Sequence, residues 1–230
     1  MMSSFSNIEI IPAIIPQSLE GLRQTIGRLR GCGANTIQID VTDGVFVASR
    51  SWPMNRGDMK SFEPLVFGDE GLPYWNEFNF EVDLMVHHPE KFLLQWIQAG
   101  VTRAVIHIGS EHNLAECRKI AASDIEIGIA VDLDAEYSDI APSLEGMSYV
   151  QVMGIAELGK QGEPFDERAL VLIQKLKKDF PDVTIQVDGG VSDLSAPDLI
   201  ASGAERLVSG SFILESENPK EALRTLSQTQ

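Results

Sequence analysis

Cysteine is nearly absent: Cys32 and Cys117 alone occur in 230 residues, with no C-x-x-C pair. Disulfide frameworks and thiolate metal sites therefore have no support, and a reducing, cytoplasmic setting is expected. Positive charge is scarce too. Lys and Arg number 18 against 34 Asp and Glu, a net charge of −16 with no basic patch to offset it. A field of that sign repels polyphosphate backbones, so nucleic acid is not expected as a partner. No run approaches the roughly 18 apolar residues of a membrane span, and residues 1–7 lack the charged-then-apolar order of a secretory leader. What is present is an apolar fraction of 43%, enough at this length for a substantial core, and one domain over residues 1–230 is expected.

Strand-length apolar runs alternate with longer amphipathic stretches along the whole chain, the pattern of βαβ units on a parallel sheet. Candidate strands are 8–14, 36–41, 80–85, 103–108, 126–131, 149–153, 184–187 and 206–210, with helical periodicity over 18–30, 89–98, 114–122 and 165–180. Gly33, Gly100 and Gly203 each stand between a helical stretch and a strand, suiting a left-handed helix end. Residues 45–79 break the rhythm with Pro53, Pro64 and Pro73, so the second helix is expected to be short or replaced by an excursion carrying Trp52 and Trp75. Eight such units in this length fit a TIM (β/α)8 barrel, and no Gly-x-Gly-x-x-Gly follows the first strand to support a doubly wound sheet.

Active sites of such barrels form at the carboxyl ends of the strands. Gln38 and Asp40 lie two apart on strand two, so both face the barrel axis if Ile37, Ile39 and Val41 face the helices. Asp83 closes strand three, and Asp188 closes strand seven just before Gly189-Gly190. Carboxylates converging there would repel unless they share a cation or a proton, the arrangement that acid–base chemistry uses. Each motif also has a plain structural reading, an Asx turn at residues 40–44 and a tight turn at 188–190.

The segments Ile-Gln-Ile-Asp-Val-Thr-Asp-Gly (37–44), Glu-Val-Asp-Leu-Met-Val (81–86), Val-Asp-Gly-Gly-Val (187–191) and Val-Ser-Gly-Ser (208–211) fall in order, and with them the chain resembles the ribulose-phosphate 3-epimerases from about residue 10 to 223. The resemblance implies an isomerase of carbohydrate phosphates, in pentose phosphate metabolism. Such an enzyme would epimerise ribulose 5-phosphate or a related ketose phosphate by 1,1-proton transfer at carbon 3 through an enediolate. Asp40 and Asp188 would be the acid and base, and Met85 and Met153 would flank the intermediate, with Thr42 where a third methionine is usual. Phosphate would sit on Gly159, Gly162, Gly189, Gly190, Gly210 and Ser211, with Lys160 adding charge.

Against the family pattern, Gln38 and Asp83 replace the two metal-binding histidines, and Ala13 replaces a serine. An oxygen-only set of Asp40, Asp83 and Asp188, with Gln38 as a weaker candidate, suits Mg²⁺ or Mn²⁺ better than Zn²⁺. No metal at all is the other expectation, with one carboxylic acid staying protonated. His107 matches a family histidine and is expected to act behind the reacting groups; His87-His88 read as a helix entry. The expected partner is a small phosphorylated sugar, in a homo-oligomer for which Trp52, Trp75 and Phe78 are candidate anchors.

Two other readings stay open. Decarboxylase and hexulose-phosphate synthase barrels carry Asp-x-Lys-x-x-Asp on strand two, where this chain has Thr42 for the lysine and Val45 for the last aspartate. A non-catalytic phosphosugar-binding barrel would explain the lost histidines, although it would gain nothing from two carboxylates facing an anion.

Overall fold

A computed structural model describes residues 8–68, 70–122, 124–159 and 162–228. Eight parallel strands close into one barrel in chain order: β1 (Glu9–Ile14), β2 (Thr36–Thr42), β3 (Asn79–Met85), β4 (Arg103–His107), β5 (Glu126–Val131), β6 (Tyr149–Met153), β7 (Thr184–Asp188) and β8 (Arg206–Ser209), with β8 pairing back onto β1. The expected TIM barrel is thus the fold found.

The helices are α1 (Leu19–Leu29), α2 (Met59–Val66), α3 (Leu93–Gln98), α4 (Leu114–Ala121), α5 (Tyr137–Ser143), α6 (Arg168–Asp179), α7 (Ala196–Ser202), α8 (Ser211–Leu214) and α9 (Pro219–Ser227). Ser18 caps α1 by accepting from the Gly21 N–H at 3.0 Å. The stretch expected as one helix over 89–98 splits: a 3₁₀ turn at Pro89–Lys91 precedes α3, after His88 takes a left-handed φ of 56°. Gly33, Gly100 and Gly203 all have positive φ, as their positions require.

Most buried apolar side chains, including Ile37, Ile39 and Val41, lie in one shell between strands and helices. Inside the barrel, two small apolar clusters are formed by Val105, Ala130, Tyr149 and Met153 and by Ile11, Ala13 and Val208. Much of the remaining interior is polar: Gln38, Glu81, Asp83, His107, Gln151 and Gln186 are all buried. The excursion after β2 holds the short helix α2. Its Trp52 is fully buried, stacked edge-on against Phe62 and Trp96 with its indole N–H donating to Ser61 Oγ at 2.8 Å. Phe78 is only 7% exposed and Trp75 is 68% exposed. Of the three candidate interface anchors, Trp52 and Phe78 are therefore core residues, drawn inward because the loop needs an apolar floor.

Candidate functional site

Asp40 and Asp83 are register partners on β2 and β3, and Asp188 ends β7 beside Met153 of β6. Side-chain period two puts Gln38 and Asp40 on the axis together while their apolar neighbours face the helices. The Nε2 of Gln38 donates to Asp40 Oδ1 and to Asp188 Oδ2, each at 2.9 Å. Gln38 Oε1 faces Gln186 Nε2 at 3.5 Å, and that nitrogen donates to Gln151 Oε1 at 2.8 Å and to Glu81 Oε1 at 2.7 Å. Gln151 Nε2 in turn donates to Asp83 Oδ2 at 2.8 Å, and Asp83 Oδ1 pairs with His107 Nε2 at 2.8 Å.

Burial dominates the electrostatics. The Asp40 carboxyl is held well above the usual carboxylate range by burial and then by the charges of Asp188 and Asp83, with Gln38 pulling the other way. Asp188 is pushed up to about 7 by burial and then by Asp83, against the opposing pull of Gln38 and His107. For His107 burial works against the imidazolium, but Asp83 beside it outweighs that and raises the ring above its ordinary value. Asp40, Asp83 and Asp188 offer oxygens within 4.8 Å of one another, a grouping that could hold a divalent ion.

A cavity of about 660 Å³ opens above these carboxylates. Asp40, Asp188, Met85 and Met153 line it, as do Gly159, Gly162, Gly189, Gly190, Gly210 and Ser211, so the two aspartates and the expected glycine positions meet in one space. Ala13, in the position of the missing serine, lines it too. Thr42 is buried and outside this lining, Asp83 lies beneath it, and Lys160 falls outside the described residues. Gly189 and Gly190 turn with φ of 94° and 67°, and a Cβ on Gly190 would stand 2.6 Å from Phe165 Cα. That close approach is the physical need for glycine there.

The turn after β2 is built as its sequence suggested. Asp43 Oδ1 accepts from the N–H groups of Val45 and Phe46 at 2.8 and 2.9 Å, while Oδ2 accepts from the His87 N–H at 2.8 Å. Phe46 then packs over His107, ring centres 5.2 Å apart, and Ser49 Oγ donates to Gly159 O at 2.9 Å. This strap carries the chain across the mouth from β2 to the loop after β6.

Sequence reasoning missed two groups. Gln151 and Gln186, which tie the carboxylates together, belong to no motif of the sequence; their strand alternation points them into the interior of a closed parallel barrel. The acidic rim of Glu163, Glu167, Asp198 and Glu215 also lines the cavity, and no local motif marked it.

The model of the ribulose-phosphate 3 epimerase family matches residues 9–214. A ribulose-phosphate 3-epimerase of Schizosaccharomyces pombe is 26% identical over 220 residues, covering 95% of this chain and 92% of its own. One from Bacillus subtilis is 25% identical over 222 residues, covering 94% and 96%. Among solved structures, a 3-hexulose-6-phosphate synthase superposes with a TM-score of 0.71 at 17% identity, covering 96% of this chain and 99% of its own. KGPDC from Streptococcus mutans gives 0.69 at 14%, covering 96% of each chain. At those identities the structural likeness speaks to the fold.

Proposed function

The chain belongs to the ribulose-phosphate 3 epimerase family, and from that premise we propose that it epimerises ribulose 5-phosphate or a close ketose phosphate at carbon 3. The carrying observation is that Asp40 and Asp188, from strands on different parts of the ring, face one cavity while held 2.9 Å from a single amide nitrogen. Burial raises both carboxyls above their ordinary range, so the pair can retain one proton, with Asp40 as the acid and Asp188 as the base in one direction. The Asp188 carboxylate takes the proton from carbon 3, the electron pair moves into an enediolate, and the Asp40 carboxylic acid returns a proton to carbon 3 from its own side. The pair ends with its proton on Asp188, which is the starting state for the reverse reaction.

Met85 and Met153 would lie against the planar intermediate, soft apolar surfaces that exclude water without offering competing donors. Gly189, Gly190, Gly210 and Ser211, with Gly159 and Gly162 opposite, would receive the phosphate through backbone N–H groups. Asp40, Asp83 and Asp188 lie close enough to group around a divalent cation, but each already accepts from a protein donor, and the proton transfers above are assigned to the side chains alone.

Incubation with ribulose 5-phosphate in D₂O tests the reading. Deuterium should enter at carbon 3, and Asp40→Asn or Asp188→Asn should each slow that exchange by about 10²-fold or more, with binding retained. Sugar phosphate bound without exchange would instead indicate a non-catalytic binding barrel.

A further inference from the structure

At the meeting point of the carboxylates stands a nitrogen. Gln38 Nε2 has two protons, and their acceptors are Asp40 Oδ1 and Asp188 Oδ2 at 2.9 Å each. A divalent ion shared by the same oxygens would need about 2.0–2.2 Å to each of them, so the amide and the ion compete for one place. Turning the amide to offer its oxygen instead would set its NH₂ against Gln186 Nε2, 3.5 Å behind, a nitrogen whose own two protons go to Glu81 and Gln151 and which accepts nothing. The third carboxylate is committed as well: Asp83 Oδ1 is paired with His107 and Oδ2 accepts from Gln151, with all three side chains buried. Each of the three carboxylates thus accepts from at least one protein donor, and of these donors Gln151 is itself held by Gln186.

We propose that the Gln38 carboxamide substitutes for a bridging cation, making Asp40 and Asp188 a metal-independent pair that this amide positions. The proposal rests on the epimerase reading for the role of the pair, but its central claim concerns binding and can fail separately. Gln38 acts through the two aspartates and is a positioning residue. Its two hydrogen bonds hold both carboxylates in one geometry and spread stabilisation over whichever of them is ionised, something a neutral donor can do without adding a charge to the cavity.

The test uses the purified full chain, prepared without metal-affinity resin. Elemental analysis should find far less than one equivalent of Mg, Mn or Zn, and MnCl₂ or ZnCl₂ should leave the melting temperature unchanged to within about 1 °C. A bound ion in large excess over its Kd would raise it by about 5 °C or more. The double variant Gln38→His, Asp83→His, which supplies two imidazoles in place of the amide and the committed carboxylate, should acquire that Zn²⁺-dependent rise. Gln38→Leu should lower kcat by about tenfold to a hundredfold with KM little changed, and added Mn²⁺ should not restore it. Stoichiometric metal in the wild-type protein, or a Mn²⁺- or Zn²⁺-dependent rise abolished by Asp83→Ala, would overturn the proposal. If no exchange at carbon 3 is seen under any condition, the epimerase reading fails, and the metal-content and melting measurements still decide the present one.

Discussion

His107 Nε2 lies 2.8 Å from Asp83 Oδ1, two fully buried side chains on neighbouring strands that balance each other's charge. With Asp83 committed to His107 and Gln151, the cavity floor presents Asp40 and Asp188 as the pair whose protonation decides the chemistry. One proton between them is the working state: two protons leave no base, and none leaves no acid.

This fixes the shape of the pH profile. Because burial and the Asp83 charge push Asp188 up to about 7, kcat/KM should rise as pH increases through about 7, by about tenfold per unit on the acid limb. It should fall again at higher pH as the pair loses its remaining proton. Stability should run the other way. Asp188 has a folded-state value raised above the unfolded one of about 3.9. Its contribution is therefore complete below that lower value and is lost as pH rises through about 7. Melting curves and rates from pH 5 to 9 check both; an activity plateau reaching down to pH 5, or a melting temperature that climbs between pH 6 and 8 and does so equally in Asp188→Asn, contradicts the assignment.

At the other end of the barrel, Arg103 grips Glu9 with two nitrogens, at 2.9 and 3.0 Å, and reaches Glu81 at 3.4 Å. Burial acts against the Glu9 carboxylate, but the hydrogen bonds from Arg103 and Thr36 outweigh it and hold it below its ordinary range. Glu81 has no exposed surface at all. Arg103→Met would leave Glu9 to Thr36 and the more distant Arg206, and buried Glu81 to Gln186, and urea unfolding should show a loss of about 3 kcal/mol. A loss under about 1 kcal/mol, the value of an exposed pair, would mean that the barrel floor is held by packing alone.

The acidic rim bears on substrate capture. Glu163, Glu167, Asp198 and Glu215 surround a cavity whose described lining has no Lys, Arg or His, in a chain of net charge −16. Phosphate must approach against that field and be held by backbone dipoles. Raising ionic strength from about 10 mM to about 150 mM shortens the reach of the repulsion from about 30 Å to about 8 Å. KM for a sugar phosphate should consequently fall with added KCl; a KM that rises would point to an attractive cationic contact.

The strands could be read within a residue or two, because a parallel barrel buries both faces and each strand appears as a short apolar run between glycine-marked helix ends. Asp40 and Asp188 were legible for the same reason: an acidic side chain in or ending such a run must face the axis. The role of Gln38 was not. Sequence reading could only enter it as a weak ligand candidate, since its actual bond to Asp188 joins positions 150 residues apart. Trp52 and Trp75 show the same limit in the excursion, where identical residues went to opposite environments according to a loop path that has no period to read.

The strap that runs from Asp43 over His107 to Gly159 crosses the β2 side of the mouth. Most of the cavity lining comes instead from the segments that follow β6, β7 and β8. A ketose bound as proposed would have its phosphate among the glycines of those segments. Extra carbons would extend along the same wall, so tolerance for chain length would be written in Leu194 and Phe212 and not in the residues around carbon 3.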